Sequence, residues 1–200
     1  EIDYESQKKL IDFCIDGGVH GLVILANASE GHLLSESEKM DLIRFTLEYV
    51  RGRIPIIVSV NHPSVSAAVR FARAAEKHGA AAVMSLPPFF GRWRAGLGEI
   101  FRYYERLSGS CGIPVVVQDH DLSDIVMPVP FLMELGEKLE NVKYLKLESG
   151  NVIYKAWQIA QRDNHPFRGI FGGNSGIFLP EELDAGCTGT MPACYMPEVF

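Results

Sequence analysis

The sequence predicts an α/β chain folded as a (β/α)8 barrel, one domain over residues 1–200. Three observations lead there. Short apolar runs alternate strictly with amphipathic helical stretches along the whole chain. The repeat is roughly 20–35 residues, the size of a βα unit. The first strand ends in "ANASEGH", without the GxGxxG turn that an open dinucleotide-binding sheet carries there.

Each element has its own signal. "YESQKKLIDFCIDGG" puts Leu10, Ile11, Cys14 and Ile15 on one helical face before a glycine stop, and the strand "GLVIL" follows. "LLSESEKMDLIRFTLEYV" opens on a capping-box pattern, Ser35 ahead of Glu38, and leads to "IPIIVSV". "SVSAAVRFARAAEKHGA" precedes "AAVMSL", and "LGEIFRYYERLSGSCG" precedes "IPVVVQ". "PFLMELGEKLENV" leads to "YLKLE", "VIYKAWQIAQR" to "FRGIFGG", and "LPEELDAG" to a last short run, "TGTMPA". Seven strands and seven helices suit a barrel whose first strand is missing. No low-complexity linker or shift of composition divides them.

Composition excludes several classes. With 47% hydrophobic and 22% charged residues the chain is neither disordered nor membranous. The net charge of −6 is spread over mixed signs, so no basic footprint for nucleic acid or anionic lipid exists. No apolar run reaches the roughly 18 residues of a transmembrane helix. Cys14, Cys111, Cys187 and Cys194 lack zinc-ligand spacing, and a core this large needs no disulfides. The expectation is reduced, buried thiols in a cytoplasmic protein. The opening residues read as a polar helix, not as a signal peptide, and the chain reads as a piece of something longer.

One strand poses a question. "NVKYLKLESG" sets Lys146 in the middle of an apolar run, two residues before Glu148. In a barrel strand one parity faces the helices and the other points inward. Leu145 and Leu147 suit the helix face; Tyr144, Lys146 and Glu148 then point in, the last two near the C-terminal mouth. An amine confined there is expected to lose some preference for its charged form and to serve as a nucleophile for a carbonyl. The plainer alternative is a snorkelling lysine paired with Glu148.

At these residues the chain resembles the superfamily of dihydrodipicolinate synthase and N-acetylneuraminate lyase. "YLKLESG" is similar to its K-E-A-T-G strand, which maps the imine-forming lysine onto Lys146. "ANASEGHLLSESE" resembles the G-T-T-G-E segment that holds an α-keto carboxylate, with Asn27, Ala28 and Ser29 on T-T-G and Glu30 matching. "AGCTGTMPA" resembles the G-x-x-G-x-I-S strand. The resemblance implies a class I aldolase-like TIM barrel, here without the family's first strand and C-terminal helices. It also implies a homotetramer acting on small 2-keto acids.

The departures point to one branch. Gln118 and Asp119 in "VVVQDHDLSD" replace the tyrosine and asparagine of the family's Y-N-x-P segment. Phe89 and Phe90 in "PPFFG" replace a tyrosine pair, and Ser123 falls near an arginine that the synthases use. "ILANASE", "LPPFFG", "VQD" and "LKLE" instead resemble the L-2-keto-3-deoxyarabonate dehydratases, in which His62 of "VNHPS" also finds a counterpart. The branch implies that Lys146 forms the imine and Glu148 moves protons, so that a 2-keto-3-deoxy sugar acid is dehydrated with no added cofactor and no metal.

Substrate contacts are expected from Asn27, Ala28, Ser29, His62, Phe89, Gln118, Asp119, Gly173 and Asn174. Each has a plainer rival: Asn27 and Ser29 as turn residues, His62 as a satisfied structural histidine, Glu148 as a mere orienter of Lys146. The remaining histidines, His20, His32, His78, His120 and His165, show no ligand spacing. Two other functions stay open, a pyruvate-yielding aldolase or synthase of the same superfamily and a non-catalytic keto-acid-binding barrel.

Overall fold

β-Branched runs become strands and the amphipathic stretches between them become helices. The computed structural model describes residues 2–90 and 92–192. In chain order the strands are β1 (Leu22–Ile24), β2 (Ile56–Ser59), β3 (Ala82–Ser85), β4 (Phe89–Phe90), β5 (Trp93–Arg94), β6 (Val115–His120), β7 (Val142–Glu148), β8 (Gly169–Gly172) and β9 (Gly189–Thr190). The helices are α1 (Tyr4–Asp16), α2 (Glu36–Val50), α3 (Val65–Lys77), α4 (Leu97–Ser108), α5 (Val129–Lys138), α6 (Val152–Ala160) and α7 (Leu179–Asp184).

Seven strands form one sheet in the order β1-β2-β3-β6-β7-β8-β9, every neighbouring pair parallel. β4 and β5 form a separate antiparallel hairpin that the sequence reading did not foresee. Two-residue strands are too short for any periodicity to mark them. The sheet is curled, because residues of its two edge strands, Leu22 and Val23 at one end and Gly189 and Thr190 at the other, line the same cavity. This is a (β/α)8 barrel short of the strand that would close it, as the pattern predicted.

Two apolar clusters mark the two faces of the curl. Ile56, Val58, Val83, Val115, Val117, Leu145, Leu147 and Ile170 belong to the large core between sheet and helices. Ala82, Met84 and Val116, with Val23, Ile57, Tyr144 and Met191 against them, form a smaller cluster inside the barrel. The alternation is period two except at a bulge near the start of β7, where the register with β6 skips a residue. On the outer side α3 buries Ala67, Ala68, Ala72 and Ala75 beside Phe71, small residues that bring its axis close to the sheet. Leu147 has no exposed surface, and its truncation to Ala costs about 2–5 kcal/mol.

Caps set the helix starts. The Ser35 amide donates to Glu38 Oε2 at 2.9 Å and the Glu38 amide to Ser35 Oγ at 3.3 Å, the predicted capping box. Asp3 accepts from the Ser6 amide at 3.0 Å to start α1, and Asn151 accepts from the Tyr154 amide at 3.0 Å to start α6. Cys14, Cys111 and Cys187 are buried free thiols; Cys194 and the end of the "TGTMPA" run lie outside the described residues. Burial pushes the Cys187 thiol up to about 12, which leaves it inert. No helix among the described residues is long and apolar enough to cross a membrane.

Candidate active site

Period-two alternation carries Lys146 and Glu148 to the inner face of β7, while Leu145 and Leu147 pack under the helices. Lys146 Nζ lies 3.0 Å from Glu148 Oε2, with both side chains more than nine-tenths buried. Gln118 stands opposite Lys146 in the β6–β7 register and donates from Nε2 to the same Oε2 at 2.8 Å. The Asn174 amide donates to Glu148 Oε1 at 3.3 Å. Gly173 permits this approach, since an added Cβ would collide with Oε1. Gly173 and Asn174 therefore meet the site through Glu148 and do not line its cavity.

The cavity, about 480 Å³, runs along the gap between β1 and β9. Lys146, Glu148 and His120 line it, with Asn27, Ala28 and Ser29 from the loop after β1. That loop turns on Leu25, whose φ of 59° is left-handed, and on Gly31, where a Cβ would collide with the Leu25 carbonyl. Two backbone amides of this loop are committed to the loop itself. The Ser29 amide donates to Ala26 O at 3.1 Å and the Glu30 amide to Asn27 O at 3.0 Å, so the turn itself uses them. The Asn27 side chain lines the cavity, its Nδ2 buried with no partner among the described residues. Across the gap Thr190 Oγ1 is likewise buried and unpartnered among the described residues, and Gln118 Oε1, outside the cavity lining, is a third such atom. Buried polar atoms without partners are uncommon, and the two that line the cleft, on Asn27 and Thr190, mark a place for a polar ligand.

Three expected residues stand elsewhere. Asp119 faces the helices, not the cavity, because its neighbours Gln118 and His120 take the inner parity. Its carboxylate forms a buried ion pair with Lys155 of α6 and accepts from the Met127 amide at 3.2 Å, and Lys155 also donates to Ser149 Oγ at 3.1 Å. His62, three residues past the end of β2, accepts from the Ser64 amide at 2.9 Å and has Nε2 3.5 Å from Glu36. Burial pushes its imidazole below the usual value against the pull of Glu36. It caps a loop and does not reach the cavity. Phe89 lies in the hairpin with the Arg94 guanidinium 5.9 Å above its ring, again apart from the cavity lining.

Four residues went unforeseen. His120 is the last residue of β6, paired in register with Glu148, and its parity with Gln118 was the available signal. Thr190 and His20 line the gap from the last strand and from the turn before β1. Glu182 of α7 has no exposed surface, and among the described residues its carboxylate has the Gly173 amide nearby but no hydrogen bond of good geometry. It packs where a Cβ on Gly172 would sit, and burial raises its carboxyl above the ordinary value.

The polar groups thus gather at the C-terminal ends of parallel strands, where barrel enzymes build their sites. The fold and site define a (β/α)8 barrel with an enclosed lysine–glutamate pair at its mouth. The chain belongs to the dihydrodipicolinate synthetase family, whose model matches residues 1–196. It is 36% identical over 199 residues to an L-2-keto-3-deoxyarabonate dehydratase of Azospirillum brasilense, covering 99% of this chain and 64% of that protein. It is 26% identical over 146 residues to an Escherichia coli protein described as a probable 2-dehydro-3-deoxy-D-pentonate aldolase, covering 72% of this chain and 48% of that one. The structure of dihydrodipicolinate synthase from Bacteroides thetaiotaomicron superposes with a TM-score of 0.87 at 28% identity, covering 100% of this chain and 66% of the synthase. The chain spans less than two thirds of these relatives' lengths.

Proposed function

We propose that the full-length protein is a lyase that dehydrates a 2-keto-3-deoxy sugar acid, of the L-2-keto-3-deoxyarabonate kind, through an imine on Lys146. The observation that carries this reading is the enclosed Lys146–Glu148 contact at 3.0 Å, with Gln118 and, among the described residues, no tyrosine hydroxyl on the carboxylate. A proton passed from the ammonium to Glu148 leaves a neutral amine, which adds to the C2 carbonyl; Glu148 returns that proton to the carbinolamine hydroxyl, which leaves as water and gives a cationic imine beside the Glu148 anion. The imine acidifies C3–H, and Glu148 in its anionic form takes that proton. The electron pair left at C3 expels the C4 hydroxyl, which departs as water with a proton from Glu148. Hydrolysis then frees Lys146, and tautomerisation of the arabonate-derived product gives the semialdehyde of 2-oxoglutarate. The imine is its own electron sink, so the proposal calls for no cofactor or metal.

Asn27 holds the substrate carboxylate in this reading, and the unpartnered Gln118 Oε1 accepts from a substrate hydroxyl. Homotetrameric assembly in the cytoplasm belongs to the same proposal. A second reading, retro-aldol cleavage to pyruvate, draws support from the Thr190 hydroxyl, a free oxygen in the cavity that could serve as base on the C4 hydroxyl.

Borohydride added to the full-length protein with 2-keto-3-deoxyarabonate tests both. The expected outcome is a mass gain on Lys146 and, without borohydride, release of a semialdehyde. Release of pyruvate replaces dehydration with cleavage. An unmodified Lys146 makes the barrel a binding module.

A further inference from the structure

His120 ends β6 with its side chain on the same face as Gln118, one residue pair nearer the mouth than the Gln118–Lys146 pair and level with Glu148. Two residues of strand separate those levels by roughly 7 Å. Its ring lines the cavity together with Lys146 and Glu148. The Leu122 amide donates to His120 Nδ1 at 3.0 Å, so Nδ1 carries a lone pair and the ring proton resides on Nε2. Among the described residues no carboxylate pairs with this histidine, and no acceptor for Nε2 is present. The result is an oriented N–H donor beyond the reacting amine. The nearby Asp121 does not compete for it, since Asp121 Oδ1 accepts from the Gly150 amide at 3.3 Å.

We infer that His120 is a specificity-determining residue whose Nε2–H donates to a hydroxyl on the distal carbons of a keto acid joined to Lys146. The inference rests on the imine reading above and adds the group that recognises the substrate's hydroxylated end. His120 acts as a hydrogen-bond donor and not as a proton donor. Full protonation would place a second N–H on Nδ1, against the Leu122 amide, and abolish the bond that orients the ring. Discrimination follows from the usual asymmetry of such sites. A donor built for a hydroxyl is left unpaired by a ligand that lacks one, and the ligand is penalised accordingly.

The test measures borohydride-trapped adduct on Lys146 of the full-length protein against concentration, for pyruvate and for a 2-keto-3-deoxypentonate, in the parent, His120→Phe and His120→Gln. The expected parent half-saturates at lower concentration with the hydroxylated acid. His120→Phe reduces that preference by about 10-fold or more, and His120→Gln, which retains a donor, restores part of it. Equal weakening for both acids in His120→Phe overturns the inference in favour of a structural role through the Leu122 turn. An unchanged preference overturns it outright while leaving the imine reading intact. Absence of any adduct in the parent overturns both.

Discussion

Lys146 and Glu148 lie 3.0 Å apart on one face of one strand, in a place almost closed to water. The contact joins nucleophile and base in one unit, and the carboxylate is further pinned by Gln118 and the Asn174 amide. Replacing Glu148 by Gln keeps the shape and removes the base. Turnover is expected to fall by about 10²–10⁴-fold. The borohydride adduct on Lys146 still forms, because the amine remains. Steady-state rates and intact-mass measurement on the same preparation check both halves; loss of the adduct together with turnover would make Glu148 an orienter of Lys146 only.

Gly173 is predicted to be a position where one methyl group matters. An added methyl group would occupy the space of Glu148 Oε1. Gly173→Ala must displace the carboxylate from Gln118 and Asn174. The expected result is a stability loss of about 1–3 kcal/mol, from overpacking. kcat falls at least about tenfold, since the base moves from its aligned position. Chemical denaturation and rate measurements separate the two effects.

Asp119 and Lys155 lie on the other side of the sheet and hold α6 to β6. Both side chains are buried, so a single substitution strands a charge. Asp119→Asn is expected to destabilise the protein by about 3–5 kcal/mol, whereas the double substitution Asp119→Leu with Lys155→Met recovers most of that loss. Some deficit persists because the Met127 amide loses its acceptor. Urea unfolding of the three proteins gives the coupling; a mild single variant would show that water reaches the pair.

Lys146 and Glu148 were legible because a charged residue inside an apolar strand stands out, and period two then fixes its direction. Asp119 misled for the same reason in reverse. It adjoins Gln118 in the chain, but adjacent strand residues face opposite ways, and parity alone would have chosen His120 instead. His62 stands past the end of β2, where strand parity no longer dictates direction, and its loop turns it toward Glu36. Glu182 sits in a helix of barely more than one turn, too short to display an apolar face, so its burial on Gly172 depended on tertiary packing. The unpartnered atoms of Asn27 and Thr190 arise only when the two edges of the sheet curl toward one cavity.

Glu182 supplies a prediction in pH. Its carboxyl lies above the ordinary 4.5, chiefly because burial disfavours the anion, with Glu148 and Glu181 adding repulsion and the Gly173 amide opposing the rise. Cys187 also faces it, as a thiol that stays neutral. The folded protein therefore holds the Glu182 proton more tightly than the unfolded chain does. Between the ordinary and the raised value the folded state carries more protons, so this group's contribution to stability falls as pH rises through that window. Glu182→Gln has no proton to lose. Its buried amide brings a cost of its own, but that cost is the same at every pH. The melting temperature of Glu182→Gln relative to the parent should thus climb as pH is raised from about 4.5 toward neutrality, whatever its starting offset. Paired thermal melts of the full-length proteins across that range measure the slope. A flat difference would mean that Glu182 ionises as readily in the folded protein as in the unfolded chain, with a counter-charge at Gly172 and Gly173 to hold it.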